Sequence, residues 1–296
     1  QKEIQRTTVQ GSLLTLKVEG LLGGHSGQDI DKERQNADLL MARMIQRLLK
    51  ETKGQLVSFN GGTKDNAIPR ECEASLIYES DEEAAKAEEL ACELAETYAE
   101  ELTPAEPDFS CEISCETNRT AEAIPQDAAK EFICAMRLAP NGIQKRNIKM
   151  DGFVVVSLNL GVVRTEEDRI VMIFSPRSSV ASLQEDTKER LNTLAETFGF
   201  TVSHSSEYPG WSFKEDSPVR EICKESYKEL FGEDLKIEAI HAGLECGLFS
   251  DAIKGLDAIA IGPTIANCHT PDEYLTLDSF ERFYEFLKDI LSRLAK

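Results

Sequence analysis

Four histidines occur in the 296-residue chain, His25, His204, His241 and His269. Histidine most readily ligates a metal or moves a proton near neutral pH. His25 lies in Gly23-Gly24-His25-Ser26-Gly27, where glycines let the backbone come close to a ligand. His269 follows an apolar run and the turn Gly262-Pro263. A neutral imidazole there suits zinc, and a capping or surface histidine fits the same spacing. His241 closes an apolar segment and suits a hydrogen-bonded structural role; His204, among Ser203, Ser205 and Ser206, reads as a surface residue. Glu245 sits in Gly243-Leu244-Glu245-Cys246-Gly247, able to pair with an ammonium group or with a helix N-terminus. Arg177, before Ser178-Ser179, could clamp a carboxylate through paired hydrogen bonds. Asn66, before Ala67-Ile68-Pro69, fits a simple turn equally well.

These residues need elements to hold them. Leu13 to Val18 alternates like a strand and runs into the glycine-rich loop of His25. A helix follows, with Leu40, Met41, Met44, Ile45 and Leu48 on its apolar stripe. Strands are expected at 55–60 and 71–78, an acidic helix over 81–102 and a strand over 109–116. On 109–116, Cys111, Ile113 and Cys115 would share a face. A second round of similar order gives a helix over 125–138, strands at 153–163 and 170–175, a helix over 183–198 and a strand over 200–204. After Tyr208-Pro209-Gly210-Trp211 the pattern changes to helix 217–231, strand 235–241, helix 244–253, strand 257–262 and helix 277–294. Alternation with short connections suggests parallel α/β architecture, with ligands at strand ends. The fold class read from these patterns is α/β.

Composition sets bounds. The chain is 41% apolar with a formal net charge of −20, enough for a sizeable core and unsuited to phosphate backbones, so no nucleic-acid partner is expected. No apolar run approaches ~20 residues, so no membrane-spanning helix is expected. Eight cysteines follow no zinc-ribbon or disulfide spacing, and free cysteines without an export signal suggest a cytoplasmic location.

Taken together, GGHSG after a strand, DNAIPRE, FVVVSLNLGVV, YPGW, AIHAGLECGLF and CHTPDE resemble the aminoacyl-histidine dipeptidases. This is a branch of the co-catalytic zinc peptidases that includes carnosinases and carboxypeptidase G2-like enzymes. The motifs appear in family order over essentially the whole chain. The resemblance implies an α+β lid over 21–204, the C-terminal part of a zinc-peptidase α/β catalytic domain over 205–296, and a strand of that domain within 1–20.

The resemblance also implies roles. His269 matches a zinc ligand. Glu245 matches the residue holding the substrate's amino group, with Gly243 lining that pocket. His25 matches a lid histidine that polarises the scissile carbonyl. Asn66 and Arg177 match substrate-binding lid residues, the arginine gripping the carboxylate. The implied function is hydrolysis of Xaa-His dipeptides by zinc-activated water, with two zinc ions per complete site. The family's His-x-Asp motif, Glu-Glu pair and further Asp have no counterpart before GGHSG, so this polypeptide alone is expected to be inactive. Two other readings remain: a lid-type binding module that pairs two chains into a homodimer, and a peptide-binding protein without catalysis.

Overall fold

Leu14, Leu16 and Val18 alternate with half-buried residues along a thirteen-residue strand, β2 (Thr7–Glu19), and are fully buried. That period of two lays one face on a core while the strand pairs on both sides. The computed structural model describes residues 1–148, 152–205, 210–211, 213–238, 245–266 and 273–295. They form two compact units, residues 1–205 and residues from 210 onward.

The first unit contains β1 (Lys2–Glu3), β2, β3 (Gly24–His25), α1 (Ala37–Glu51), β4 (Gln55–Gly61), β5 (Ala67–Ile68) and β6 (Cys72–Tyr78). It continues with α2 (Asp81–Leu102), β7 (Ser110–Ala123), α3 (Gln126–Leu138), β8 (Gly142–Asn147), β9 (Phe153–Thr165), β10 (Arg169–Ser178) and α4 (Ala181–Thr197). One eight-stranded sheet runs β1-β10-β9-β4-β6-β2-β7, with β8 also on β9. Its pairings are antiparallel. β2 lies between β6 and β7, so residues 7–19 fold with the first unit; the boundary expected near residue 20 is not a break between compact units.

Local chemistry starts the helices where they start. Asn36 caps α1, its side chain accepting from the N–H groups of Asp38 and Leu39. Ser80 caps α2, with Asp81, Glu82 and Glu83 in the first turn, where carboxylates suit the helix dipole. The buried faces of α1, α2 and α3 meet the sheet in one core that includes Met41, Met44, Phe59, Tyr98 and Phe132. Cys111, Ile113 and Cys115 pack together against it, as their spacing predicts. β7 ends the sheet and exposes Glu112, Glu116, Arg119 and Glu122, a charged row that discourages pairing with another chain.

The second unit contains α5 (Pro218–Phe231), α6 (Glu245–Ala252), β11 (Ile265–Ala266), β12 (Tyr274–Leu275) and α7 (Leu277–Leu294). Ser217 caps α5, Pro218 opens it, and Gly232 closes it at φ 72°, the left-handed position that glycine fills without strain. Among the described residues its core comprises Cys223, Phe286 and Ile290, flanked by Tyr227, Phe231, Leu235 and Ile259.

Two expected strands, 200–204 and 257–262, do not form, and residues 239–241 of the strand expected over 235–241 lie outside the described residues. Residues 235–238 and 257–262 are irregular, and the only ladder among the described residues of this unit is the antiparallel pair β11–β12. A strand needs a partner for its backbone groups; among the described residues these segments have none, and Ile237 and Ile261 stand exposed. The parallel sheet expected there is likewise absent among the described residues. Residues 200–204 carry no ladder either: Phe200 N–H turns back to Ala195 O, and the strand-like exchange of hydrogen bonds is confined to Thr201 and Gln1.

Candidate active site

The loop after β2 brings His25 onto a two-residue ladder, β3 against β5, in which His25 faces Ala67. Gly24 holds φ 139°, and an added Cβ would come within 2.7 Å of both Asp29 Oδ2 and Arg34 Nη1. Only glycine fits there. Asp29 Oδ2 accepts from the His25 backbone N–H at 2.8 Å, and its Oδ1 accepts from Lys32 at 2.6 Å. Burial pushes the Asp29 carboxyl up, but Lys32, the His25 N–H and Arg34 outweigh it and hold the pKa below the ordinary value.

His25 Nδ1 accepts from the backbone N–H groups of Gly27 and Gln28, each at 3.1 Å. An acceptor at Nδ1 leaves the proton of the neutral ring on Nε2. The ring therefore presents Nε2–H as a donor, the polarity that a carbonyl or developing oxyanion requires.

Ser26 is fully buried and ties three segments together. Its N–H donates to Asn66 O at 2.9 Å, and its Oγ accepts from Arg177 Nε at 3.4 Å. Burial lowers the Arg177 pKa and the Asp65 charge opposes this; a guanidinium stays charged throughout. Thus His25, Asn66 and Arg177, far apart in sequence, meet around Ser26.

Two further buried side chains hold this arrangement. Glu106, 3% exposed, accepts from the N–H of Leu22 at 2.7 Å and of Gln35 at 2.9 Å, closing the His25 loop at its two ends. Asn159, 1% exposed, donates from Nδ2 to Ala67 O at 2.8 Å and Asp65 O at 3.2 Å. No motif in the sequence marks Ser26, Glu106 or Asn159 for these roles. A signal existed for Asn159, a lone amide inside the apolar run of FVVVSLNLGVV, since a buried polar group must be bonded.

Glu245 is the exposed first residue of α6 in the second unit, where a helix N-terminus favours its charge. Gly243, His241 and His269 lie outside the described residues. Among the described residues no three His, Cys, Asp or Glu side chains group so as to hold a metal. They do not make the implied two-zinc site.

Three comparisons bear on this geometry. The family model described as Peptidase family M20/M25/M40 matches residues 17–293. The cytosol non-specific dipeptidase of Escherichia coli K12 is 33% identical over 285 residues, covering 95% of this chain and 57% of that protein. The crystal structure of the aminoacylhistidine dipeptidase from Vibrio alginolyticus superposes with a TM-score of 0.88 at 32% identity, covering 98% of this chain and 59% of that one. The chain thus spans less than three fifths of either relative's length. With the family model matched over nearly the whole chain and the fold shared at that level, this chain belongs to the peptidase family M20/M25/M40.

Proposed function

We propose that this chain supplies the substrate-holding part of a metal-dependent dipeptidase acting on aminoacyl-histidine dipeptides with a free amino terminus. The observation that carries the reading is the meeting of His25, Asn66 and Arg177 around Ser26. A dipeptide has one carbonyl to polarise, one carboxylate and one ammonium. The Nε2–H of His25 suits the first and the Arg177 guanidinium the second. Glu245, with Gly243 beside it in sequence, is the carboxylate assigned to the ammonium. His269 is assigned as a zinc ligand. The names of the two relatives, a cytosol dipeptidase and an aminoacylhistidine dipeptidase, support the substrate class and a cytoplasmic location. No helix among the described residues is long and apolar enough to cross a membrane.

Binding is the direct test, because the described residues offer partners for the substrate and no metal cluster. Calorimetry should show an aminoacyl-histidine dipeptide binding the chain, with Arg177→Ala weakening it about tenfold or more. The C-terminal amide of the same dipeptide should bind weakly and lose nothing further in the variant. Equal affinity for the acid and its amide would end the assignment of Arg177 to the carboxylate.

A further inference from the structure

Asn66 is held by a turn that has little internal support. Ala67 N–H donates to Lys64 O at 3.2 Å, and residues 63–65 are exposed. What lies behind the turn is β9. Asn159 pairs in register with Ser175, and Ser157 with Arg177, so these four residues face one side of the sheet. On that side the Asn159 amide sends its Nδ2 to the carbonyls on either side of Asn66, those of Asp65 and Ala67. Two residues on, Gly161 has no side chain where the turn crosses: a Cβ there would lie 2.5 Å from Asp65 O and 2.7 Å from Asp65 Cα. The turn is thus seated on Gly161 and pinned by Asn159.

We propose that Asn159 is the positioning residue for Asn66 and, through it, for the His25–Ser26 segment. One amide spends both its N–H donors on the residues flanking Asn66, which fixes the direction in which residue 66 leaves the turn. The carbonyl of Asn66 then receives Ser26 N–H, so the same pin sets how β3 and β5 meet. A side chain 1% exposed cannot touch a dipeptide; it acts on recognition only by holding residues that do. Its neighbour in register, Ser175, and the arginine two residues further along β10 place the carboxylate clamp on the same sheet face, so a shift of the turn would move Asn66 relative to Arg177. The consequence for binding rests on the dipeptide reading above; the positioning itself does not.

The test separates the two. In the wild-type chain, NMR should find the Asn159 side-chain amide protons exchanging slowly, at least about tenfold slower than an exposed asparagine amide. Exchange at the exposed rate would overturn the proposal without any variant. Asn159→Ala removes the pin, and the isosteric Asn159→Asp puts acceptor oxygens against two carbonyls. Both should speed exchange of the Ser26 backbone N–H about tenfold while amides of the β2–β6 ladder keep their protection, which also shows that the variants fold. Unchanged Ser26 exchange in the folded variants refutes the positioning role. Dipeptide affinity should fall in Asn159→Ala about as far as in Asn66→Ala, and the double variant should be no weaker than Asn66→Ala alone; additive losses would contradict transmission through Asn66. If the wild-type chain binds no dipeptide, the function reading fails while the exchange measurements still decide the role of Asn159.

Discussion

The two units treat their apolar residues differently. In the first, α1 buries Leu40, Met41, Met44, Ile45 and Leu48, and the sheet beneath supplies Leu14, Leu16, Phe59 and Leu76, each 1% exposed or less. In the second, α7 has an equally strong apolar arc, but only Phe286 and Ile290 on it are buried. Leu277, Phe280, Tyr284 and Leu291 on the rest of that arc are 48–74% exposed. A helix face of that width normally packs on something. Apolar periodicity therefore places a helix in both units, while the strands that would complete a core form only where a ladder partner exists within the described chain.

That contrast has a measurable edge. Phe59 and Phe132 meet edge to face at 5.4 Å between centroids, both fully buried. Phe59→Ala should cost about 3–5 kcal/mol of stability, from lost transfer energy and the cavity left behind. Phe280→Ala, on the exposed arc of α7, should change stability by no more than about 0.5 kcal/mol. Chemical denaturation, followed by probes in each unit, measures both. Comparable losses would mean that the α7 face is covered in solution and would erase the contrast.

The first unit's packing has one charged exception, and pH exposes it. Asp38, in the first turn of α1, is fully buried, and neither carboxylate oxygen has a hydrogen-bond partner among the described residues. Its Oδ1 lies over Gly61, where a Cβ would come within 1.6 Å of it and within 2.9 Å of Cys72 Sγ. Desolvation pushes its pKa up to about 7; contact with the Cys72 thiol, short of a well-formed hydrogen bond, and the Arg164 charge offset only part of this. The folded state thus holds a proton that an unfolded aspartate, with its pKa of 3.8, gives up. Its contribution is fully present below about pH 4 and is lost as pH rises to about 7. A shift of that size corresponds to roughly 4 kcal/mol. Asn cannot ionise, so Asp38→Asn should gain on the wild type by roughly that amount between pH 4 and pH 8, read as diverging urea midpoints. A pH-independent difference would show that Asp38 titrates normally.

How much of this was legible follows the same physics. α7, β2 and β9 could be read because their apolar residues repeat at the helical or strand period. β8, Gly-Ile-Gln-Lys-Arg-Asn, has no alternation and was not foreseen; it exists because β9 offers an edge. The alternation of β7 is legible to residue 116, but the strand runs to Ala123, since Arg119–Ala123 pair with Thr7–Gly11 of β2 beyond a register shift. The apolar run at 257–262 has strand preference but forms no strand, because sequence shows a segment's own preference and not whether its partner is at hand. In the site, family motifs picked out His25, Asn66 and Arg177, whose side chains carry the recognisable chemistry. Glu106 and Asn159, and Ser26 in its bond to Asn66, work through backbone N–H and carbonyl groups, which carry no residue-type signature.

The smallest expected effect asks what holds the first unit together. Tyr98 on α2 is 1% exposed, with the Arg43 guanidinium 4.4 Å from its ring centroid. Its hydroxyl is buried and has no hydrogen-bond partner among the described residues, and desolvation raises its pKa despite the opposing charge of Arg43. The ring contributes area and a cation–π contact, whereas the hydroxyl contributes a desolvation cost that nothing repays. Tyr98→Phe keeps the first and removes the second. Its stability should therefore stay within about 0.5 kcal/mol of the wild type or rise by up to about 1 kcal/mol, in the same denaturation assay as Phe59→Ala. Near-neutrality beside the large Phe59 loss would show that this core is held by shape and apolar area, the resource that the α7 face leaves unspent. A loss above about 1.5 kcal/mol would mean that the hydroxyl is bonded in solution, and the core would then owe part of its stability to a polar contact of the kind that Ser26 and Asn159 make at the site.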